Sequence, residues 1–321
     1  MLNHPALNSC FVRSHRRAAV CALGVLMAGI AASGCSINAS AENTTASATT
    51  GTVAVSPLPP SSPSPTTAAP STEASTTELT TTLPPTTTVP VNIEAVPPAP
   101  APLAAVDAAN GPATNDVQQR LLQLGFWLGD KPGSYGLTTR QAVMAFQKYL
   151  TLPATGKVDE ATAAFLTNLT ERPHGQADTG DLVEVDKTKQ LLFIIREGKT
   201  LWTFNTSTGS GLPYEEDNKT TPGEKVTGVA ITPDGLFKVN REHAEGWWEG
   251  DLGKIYRPKY FNGGIAVHGS GSVPNHPASH GCVRLSLPAM DFIWDQNLIP
   301  QRTIVWVHSV EMEAAVAAAT A

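Results

Sequence analysis

The chain has 321 residues, 16% of them charged, and a formal net charge of −6. That length leaves room for two or three domains. There is no basic stripe and no interleaving of aromatic with basic residues, so nucleic acid is excluded as an expected partner. The acidic balance also argues against electrostatic binding to anionic lipid.

The N-terminus reads as an export leader, residues 1–35. Arg13, His15, Arg16 and Arg17 form a basic start, and Ala18 to Ala32 an apolar stretch. About fifteen apolar residues are too few to span a bilayer and suit a secretory segment. Its end, Ala32-Ser33-Gly34-Cys35, resembles the lipobox of bacterial lipoproteins, with Ala32 where leucine is usual. The resemblance implies a lipid on Cys35 and a membrane anchor; the alternative is an ordinary cleaved signal with Cys35 incidental. Cys10 and Cys21 lie in the same leader, which leaves Cys282 alone in the exported part. An intrachain disulfide is thereby excluded there, and a lone thiol in an oxidising compartment is a liability unless buried or used.

Residues 36–112 are dominated by Thr, Ser, Pro and Ala with almost no aromatics. Such a composition buries too little apolar surface to offset ordering entropy, so a disordered tether is expected. About 77 residues would span roughly 50 Å as a coil and up to ~240 Å in polyproline form. Residues 113–172 then predict three short helices. Asn115 is placed as the cap of a helix carrying Val117, Leu121, Leu122 and Leu124. Thr138 and Gln141 have capping-box spacing ahead of Ala142, Val143, Phe146 and Tyr149, and Asp159 caps a third helix with Phe165, Leu166 and Leu169. The runs Val117 to Phe126, Tyr135 to Gln147 and Gly156 to Thr162 resemble the type 1 peptidoglycan-binding domain, with Pro132-Gly133 where that family usually has Asp-Gly. The resemblance implies a module that binds glycan strands; the plainer reading is a bundle that spaces or stabilises the C-terminal domain.

Residues 181–309 turn to strands, with 310–321 as a tail. Leu182–Asp186 and Gln190–Ile195 suggest a hairpin. Leu201–Asn205, Lys225–Ile231, Leu236–Asn240, Gly264–Val267 and Thr303–Val307 add further strands, and a helix begins after Ser286 with Pro288 in its first turn. The fold class expected is a mainly β domain, an antiparallel sandwich or barrel with one late helix, plus the small three-helix domain.

The chemistry centres on Ser279-His280-Gly281-Cys282-Val283-Arg284. A free thiol titrates at about 8.5 and needs a base to become a nucleophile at neutral pH. His268, with Gly269 after it, and His280 are both candidates, and spacing alone does not choose between them. The Gly281 and Cys282 amides at a turn are candidate oxyanion donors, and Arg284 suits a substrate carboxylate. Zinc on His268, His276, His280 and Cys282 is the rival use of these side chains, but no pair has a familiar zinc spacing. No metal and no cofactor are expected.

His268-Gly269 and then Ser279 to Leu285 resemble the YkuD-type L,D-transpeptidase signature, and Thr232-Pro233-Asp234-Gly235-Leu236-Phe237 matches a second segment of that family. The resemblance implies that Cys282 attacks a stem peptide and that His268, oriented by the Gly269 carbonyl, accepts the thiol proton. It also implies that the backbone around His280, Gly281 and Cys282 forms the oxyanion hole, with Ser279 and His280 shaping the site. Arg284 then lies on the substrate side. Apart from the resemblance, the aromatics Trp247, Trp248, Tyr256, Tyr260 and Phe261 that precede His268 are candidates for lining a substrate cleft or lid, the alternative being that Trp247 and Trp248 include a core anchor. The expected function is peptidoglycan cross-linking outside the membrane. Hydrolysis by the same residues and a non-catalytic wall anchor are the alternatives. The acceptor, the donor's diamino acid and the oligomeric state stay open.

Overall fold

The computed structural model describes residues 93–311 and 314. The expected leader with Cys35, the tether up to residue 92 and most of the tail lie outside the described residues. Three helices come first: α1 (Pro112–Gln123), α2 (Leu137–Tyr149) and α3 (Glu160–Asn168). Asp159 caps α3 as expected, its carboxylate accepting from the Thr162 amide at 2.8 Å. The other two starts differ from the sequence reading. Pro112 opens α1 directly after Gly111 (φ 144°), so Asn115 falls inside the first turn. In α2 the cap comes from the preceding loop: the Asp130 carboxylate accepts from the Thr139 amide at 2.7 Å. Thr138 instead accepts from the Gly129 amide, and the Gln141 side chain points away from the helix start to donate to the Val273 carbonyl. Phe165, expected inward, is exposed, while its neighbour Leu166 fills the core.

The expected tether ran to residue 112, yet residues 93–111 lie along the helices. Val96 donates to the Thr170 carbonyl and Asp107 to that of Val158, at 2.8 and 2.9 Å. The Pro-Ala run carries enough apolar side chains at Val96, Leu103 and Val106 to pack on the helical core.

The strands in chain order are β1 (Leu182–Asp186), β2 (Leu191–Arg196), β3 (Lys199–Asn205), β4 (Pro213–Asp217), β5 (Lys225–Val229) and β6 (Gly235–Lys238). They continue with β7 (Arg241–Glu242), β8 (Trp247–Gly250), β9 (Gly253–Asn262), β10 (Ile265–Ser270), β11 (Val283–Ser286) and, after helix α4 (Leu287–Asp295), β12 (Ile304–His308). One sheet runs β3-β2-β1-β12-β6 and a second β11-β10-β9-β7, with β8 on β9; β4 and β5 form a separate hairpin. Pairing is mainly antiparallel, as expected, except that β1 with β12 and β10 with β11 are parallel. Ser286 caps α4, and its alternating neighbours Val283 and Leu285 enter the core between the sheets with Val183, Val185, Leu192, Ile194, Val267, Val305 and Val307.

Strand β2 is buried on both faces. Leu192 and Ile194 point into the inter-sheet core, whereas Leu191, Phe193 and Ile195 pack on Val117, Leu121, Phe146 and the rest of the helical core. A strand that reads as a continuous apolar run is the sign of such two-sided burial. The contact extends to the sheet edge: the Thr203 amide donates to the Gly125 carbonyl at 2.8 Å, and Trp127 stacks on Phe292 of α4 at 4.9 Å. The two modules therefore share a core. Phe193→Ala should cost about 3–5 kcal/mol, and urea unfolding monitored by far-UV circular dichroism and by tryptophan fluorescence should give coincident transitions. Two well-separated transitions would contradict the shared core.

Candidate active site

Strand alternation assembles the site. Val267 pairs with Val283 and His268 with Arg284 in the parallel β10–β11 register. Both valines point into the core. Their neighbours Ala266 and His268 on β10, and Cys282 and Arg284 on or just before β11, consequently share the opposite face. Tyr260 of β9 pairs with Ala266 and joins that face.

His268 is buried, and its Nδ1 lies 2.8 Å from the Gly269 carbonyl. A carbonyl only accepts, so Nδ1 carries the proton and Nε2 keeps its lone pair. Burial lowers the ring's pKa to about 4, the nearby Arg284 charge acting in the same direction. The Cys282 thiol is pushed up by burial, against the opposing pull of the Ala266 backbone and of Arg284. At neutral pH the site holds a neutral thiol and a neutral imidazole. The thiol is directed at the Gly264 carbonyl, 3.7 Å away.

The turn before Cys282 is clamped from two sides. Ser279 Oγ accepts from the Gly281 amide at 3.0 Å and donates to the Cys282 carbonyl at 2.5 Å. The Gly281 amide, expected as an oxyanion donor, is thus already engaged. Thr232 Oγ1 donates to the Gly281 carbonyl at 2.6 Å and accepts from the Gly209 amide. Gly281 needs to be glycine: its φ is 135°, and a Cβ there would lie 2.8 Å from the Ile231 carbonyl. Gly269 is equally confined, since a Cβ would meet the Tyr256 ring at 2.8 Å.

The remaining sequence candidates separate. His280 turns to the β4–β5 hairpin, where Nε2 lies 2.9 Å from Glu216 Oε1 and the Tyr214 ring meets the imidazole edge-on. His276 contacts Asn275, so the three histidines take different partners. Among the described residues no cluster of three or more His, Cys, Asp or Glu is arranged to hold a metal ion. Trp248 stacks on His243 at 3.7 Å, and His243 meets Tyr260 edge-on, linking this aromatic run to the thiol's face. Tyr256 goes elsewhere, its hydroxyl donating to Asp291 of α4 at 2.9 Å. The positive φ of Arg257 marks the irregularity that sends Tyr256 and Tyr260 to opposite faces. Tyr260 is among the aromatics expected to line a cleft, whereas Thr232, Tyr214 and Glu216 carry no expected role. Thr232 opens a segment that matches the family and Tyr260 lies in the aromatic stretch Tyr256 to Phe261, whereas nothing in the sequence points to Glu216.

Comparison with known proteins gives the same division. The family model for the L,D-transpeptidase catalytic domain matches residues 180–307, and that for a peptidoglycan binding domain matches residues 110–166. A crystal structure of an L,D-transpeptidase from Xylanimonas cellulosilytica is 40% identical, covering 65% of this chain and 99% of its own, with a TM-score of 0.58. An L,D-transpeptidase from Stackebrandtia nassauensis is 20% identical, covering 66% of this chain and 97% of its own, with a TM-score of 0.36. A search of curated proteins found no match. The chain belongs to the L,D-transpeptidase family.

The buried ring sets a pH dependence. An unfolded histidine titrates at about 6.5, and the folded His268 at about 4. Between those values the unfolded chain binds a proton that the folded chain does not, so stability is lost as pH falls through that window and is level above it. The steepest slope from this one group is about 1.4 kcal/mol per pH unit. Urea unfolding at pH 5.0 and 7.5 should show a larger acid loss in wild type than in His268→Gln. Equal losses would show that the ring is not held neutral.

Proposed function

We propose that the protein is a peptidoglycan L,D-transpeptidase that forms a thioester on Cys282 and transfers the acyl group to an amine. The observation that carries this reading is the single strand face bearing Cys282, His268 and Arg284, with the imidazole tautomer set by Gly269 O. In this reading His268 Nε2 takes the Sγ proton as the thiolate attacks the carbonyl before a terminal D-Ala. The tetrahedral oxygen draws on the Cys282 and His280 amides, because the Gly281 amide is bound to Ser279. The imidazolium returns the proton to the departing D-Ala amine, leaving the thioester. An acceptor amine then attacks, His268 takes its proton, and the thiolate leaves and is reprotonated. One peptide bond is exchanged for another, which suits a compartment without ATP.

The neutral resting pair supports a base that acts only when substrate is bound, since apo hydrogen bonds at such sites are often long. Arg284 favours the thiolate as it forms and disfavours the imidazolium. Purified protein incubated with disaccharide-tetrapeptides should release D-Ala and yield dimers joined between two diamino acids, read by mass spectrometry. Cys282→Ala should lower the yield by at least a thousandfold. Release of D-Ala without dimers would replace transfer by hydrolysis, and unchanged dimer formation in Cys282→Ala would remove the cysteine from the mechanism.

The lipobox-like Ala32-Ser33-Gly34-Cys35 supports a lipid-anchored enzyme at the outer face of the membrane, reaching the wall along its Pro/Thr-rich segment. In detergent phase partitioning of cell extracts, the full chain should enter the detergent phase and Cys35→Ala the aqueous phase. Identical partitioning of the two would rule out the anchor.

A further inference from the structure

The helical module and the catalytic turn are joined by a buried polar seam. Lys148 of α2 points its ammonium out of the helical module at two backbone carbonyls, Gln190 O at 3.2 Å and Thr206 O at 3.1 Å. Both sides of the contact are buried, and among the described residues the ammonium has no carboxylate partner. Burial accordingly lowers its pKa to about 7. An unpaired buried lysine costs the fold more than an apolar side chain of the same length. Two turns earlier in α2, Gln141 Nε2 donates to the Val273 carbonyl at 3.1 Å, and Gln141 Oε1 accepts from Asn205 Nδ2 at 2.6 Å. Asn275 ties the same loop to the Ala154 carbonyl.

These contacts hold the cradle of the nucleophile. Residues 206–208 run beside β11. Thr206 Oγ1 donates to the Arg284 carbonyl at 2.8 Å, and the Arg284 amide donates to Ser207 O at 3.0 Å. Thr208 O accepts from the Ala278 and Ser279 amides. Gln190 closes the loop, its side chain bonded to both the amide and the hydroxyl of Thr208. The loop from residue 271 to 279 connects the strand bearing His268 to the turn bearing Cys282, and it is fastened at Val273 and Asn275 by the helical module.

We propose that Lys148 and Gln141 are positioning residues for the catalytic turn, so that the module resembling a peptidoglycan-binding domain also sets the geometry of Cys282 and Arg284. The assignment rests on the transpeptidase reading for its activity readout, but the seam can be read without it. Lys148→Met keeps the length and removes the donors. In the full chain it should bind purified sacculi like wild type. Amide hydrogen exchange in 205–208 and 276–284 should accelerate at least tenfold. Acylation of Cys282 by a carbapenem should slow at least tenfold, with the apparent affinity changed less than threefold.

A loss through general instability is separated by Leu166→Ala, which opens a void in the helical core while removing none of the seam's hydrogen bonds. Measured well below both melting temperatures, that variant should keep wild-type acylation and wild-type exchange in those two segments. Wild-type exchange and acylation in Lys148→Met, or the same losses in Leu166→Ala, would overturn the assignment. Should Lys148→Met fail to fold, Gln141→Met carries the same expectation for residues 271–279. If wild-type protein is not acylated while the seam variant still exchanges faster, the transpeptidase reading falls and the seam stands.

Discussion

Val267 lies opposite Val283 in a parallel strand pair, and both side chains are fully buried between the two sheets. Once that register is set, the residues on either side of each valine have no choice of face. His268 and Arg284 must point away from the core, and so must Cys282. A slip of one residue would bury Arg284 and expose Val283, a cost of several kcal/mol from the charge alone. Hydrophobic packing, which is not directional, thereby fixes a polar arrangement that depends on direction. Gly269 and Gly281 lie beside the two chemical side chains because the backbone there is approached too closely for a Cβ.

The same logic reaches outward through β2. Its apolar side chains point alternately into the inter-sheet core and into the helical core, so the catalytic sheet is completed by the helices rather than merely tethered to them. The polar contacts of Lys148 and Gln141 lie at the edge of that apolar seam, where water is excluded and each bond is costly to leave unmade. On the proposed reading, the helical module and the thiol then belong to one packed body. For an enzyme acting on an insoluble network, such a rigid link would fix the distance between the point where polymer is held and the point where a stem peptide is exchanged.

Much of this is legible in the chain. Apolar runs mark β2 and β12, shorter apolar stretches mark β1 and β3, and the cap-plus-proline pattern locates α4. The spacing from His268-Gly269 to Ser279 through Arg284 marks the site, although the choice of histidine for Cys282 comes from family resemblance. The features that escape have physical reasons. β9 mixes charged and aromatic residues with Pro258, so it reads as a loop, and only the irregularity at Arg257 separates its tyrosines. Asn115 and Thr138 have the chemistry of helix caps, but Pro112 and Asp130 act first. Residues 93–111 are rich in Pro and Ala and lack aromatics, so they look unable to order, yet they borrow a core from the helices. Glu216 reaches His280 across 64 residues of chain, and no local pattern encodes such a contact.

In the proposed reaction the Cys282 thiol, on a face shared with His268, carries the acyl group. The most direct measurement is intact-protein and peptide-level mass spectrometry of the enzyme quenched in acid during reaction with a tetrapeptide stem. An adduct equal to the tetrapeptide minus D-Ala is expected, cleaved by hydroxylamine and located on the peptide containing Cys282, with His268→Gln accumulating it at least a hundredfold more slowly. Product formation without any adduct on that peptide, or an adduct that forms at the wild-type rate in His268→Gln, would contradict it.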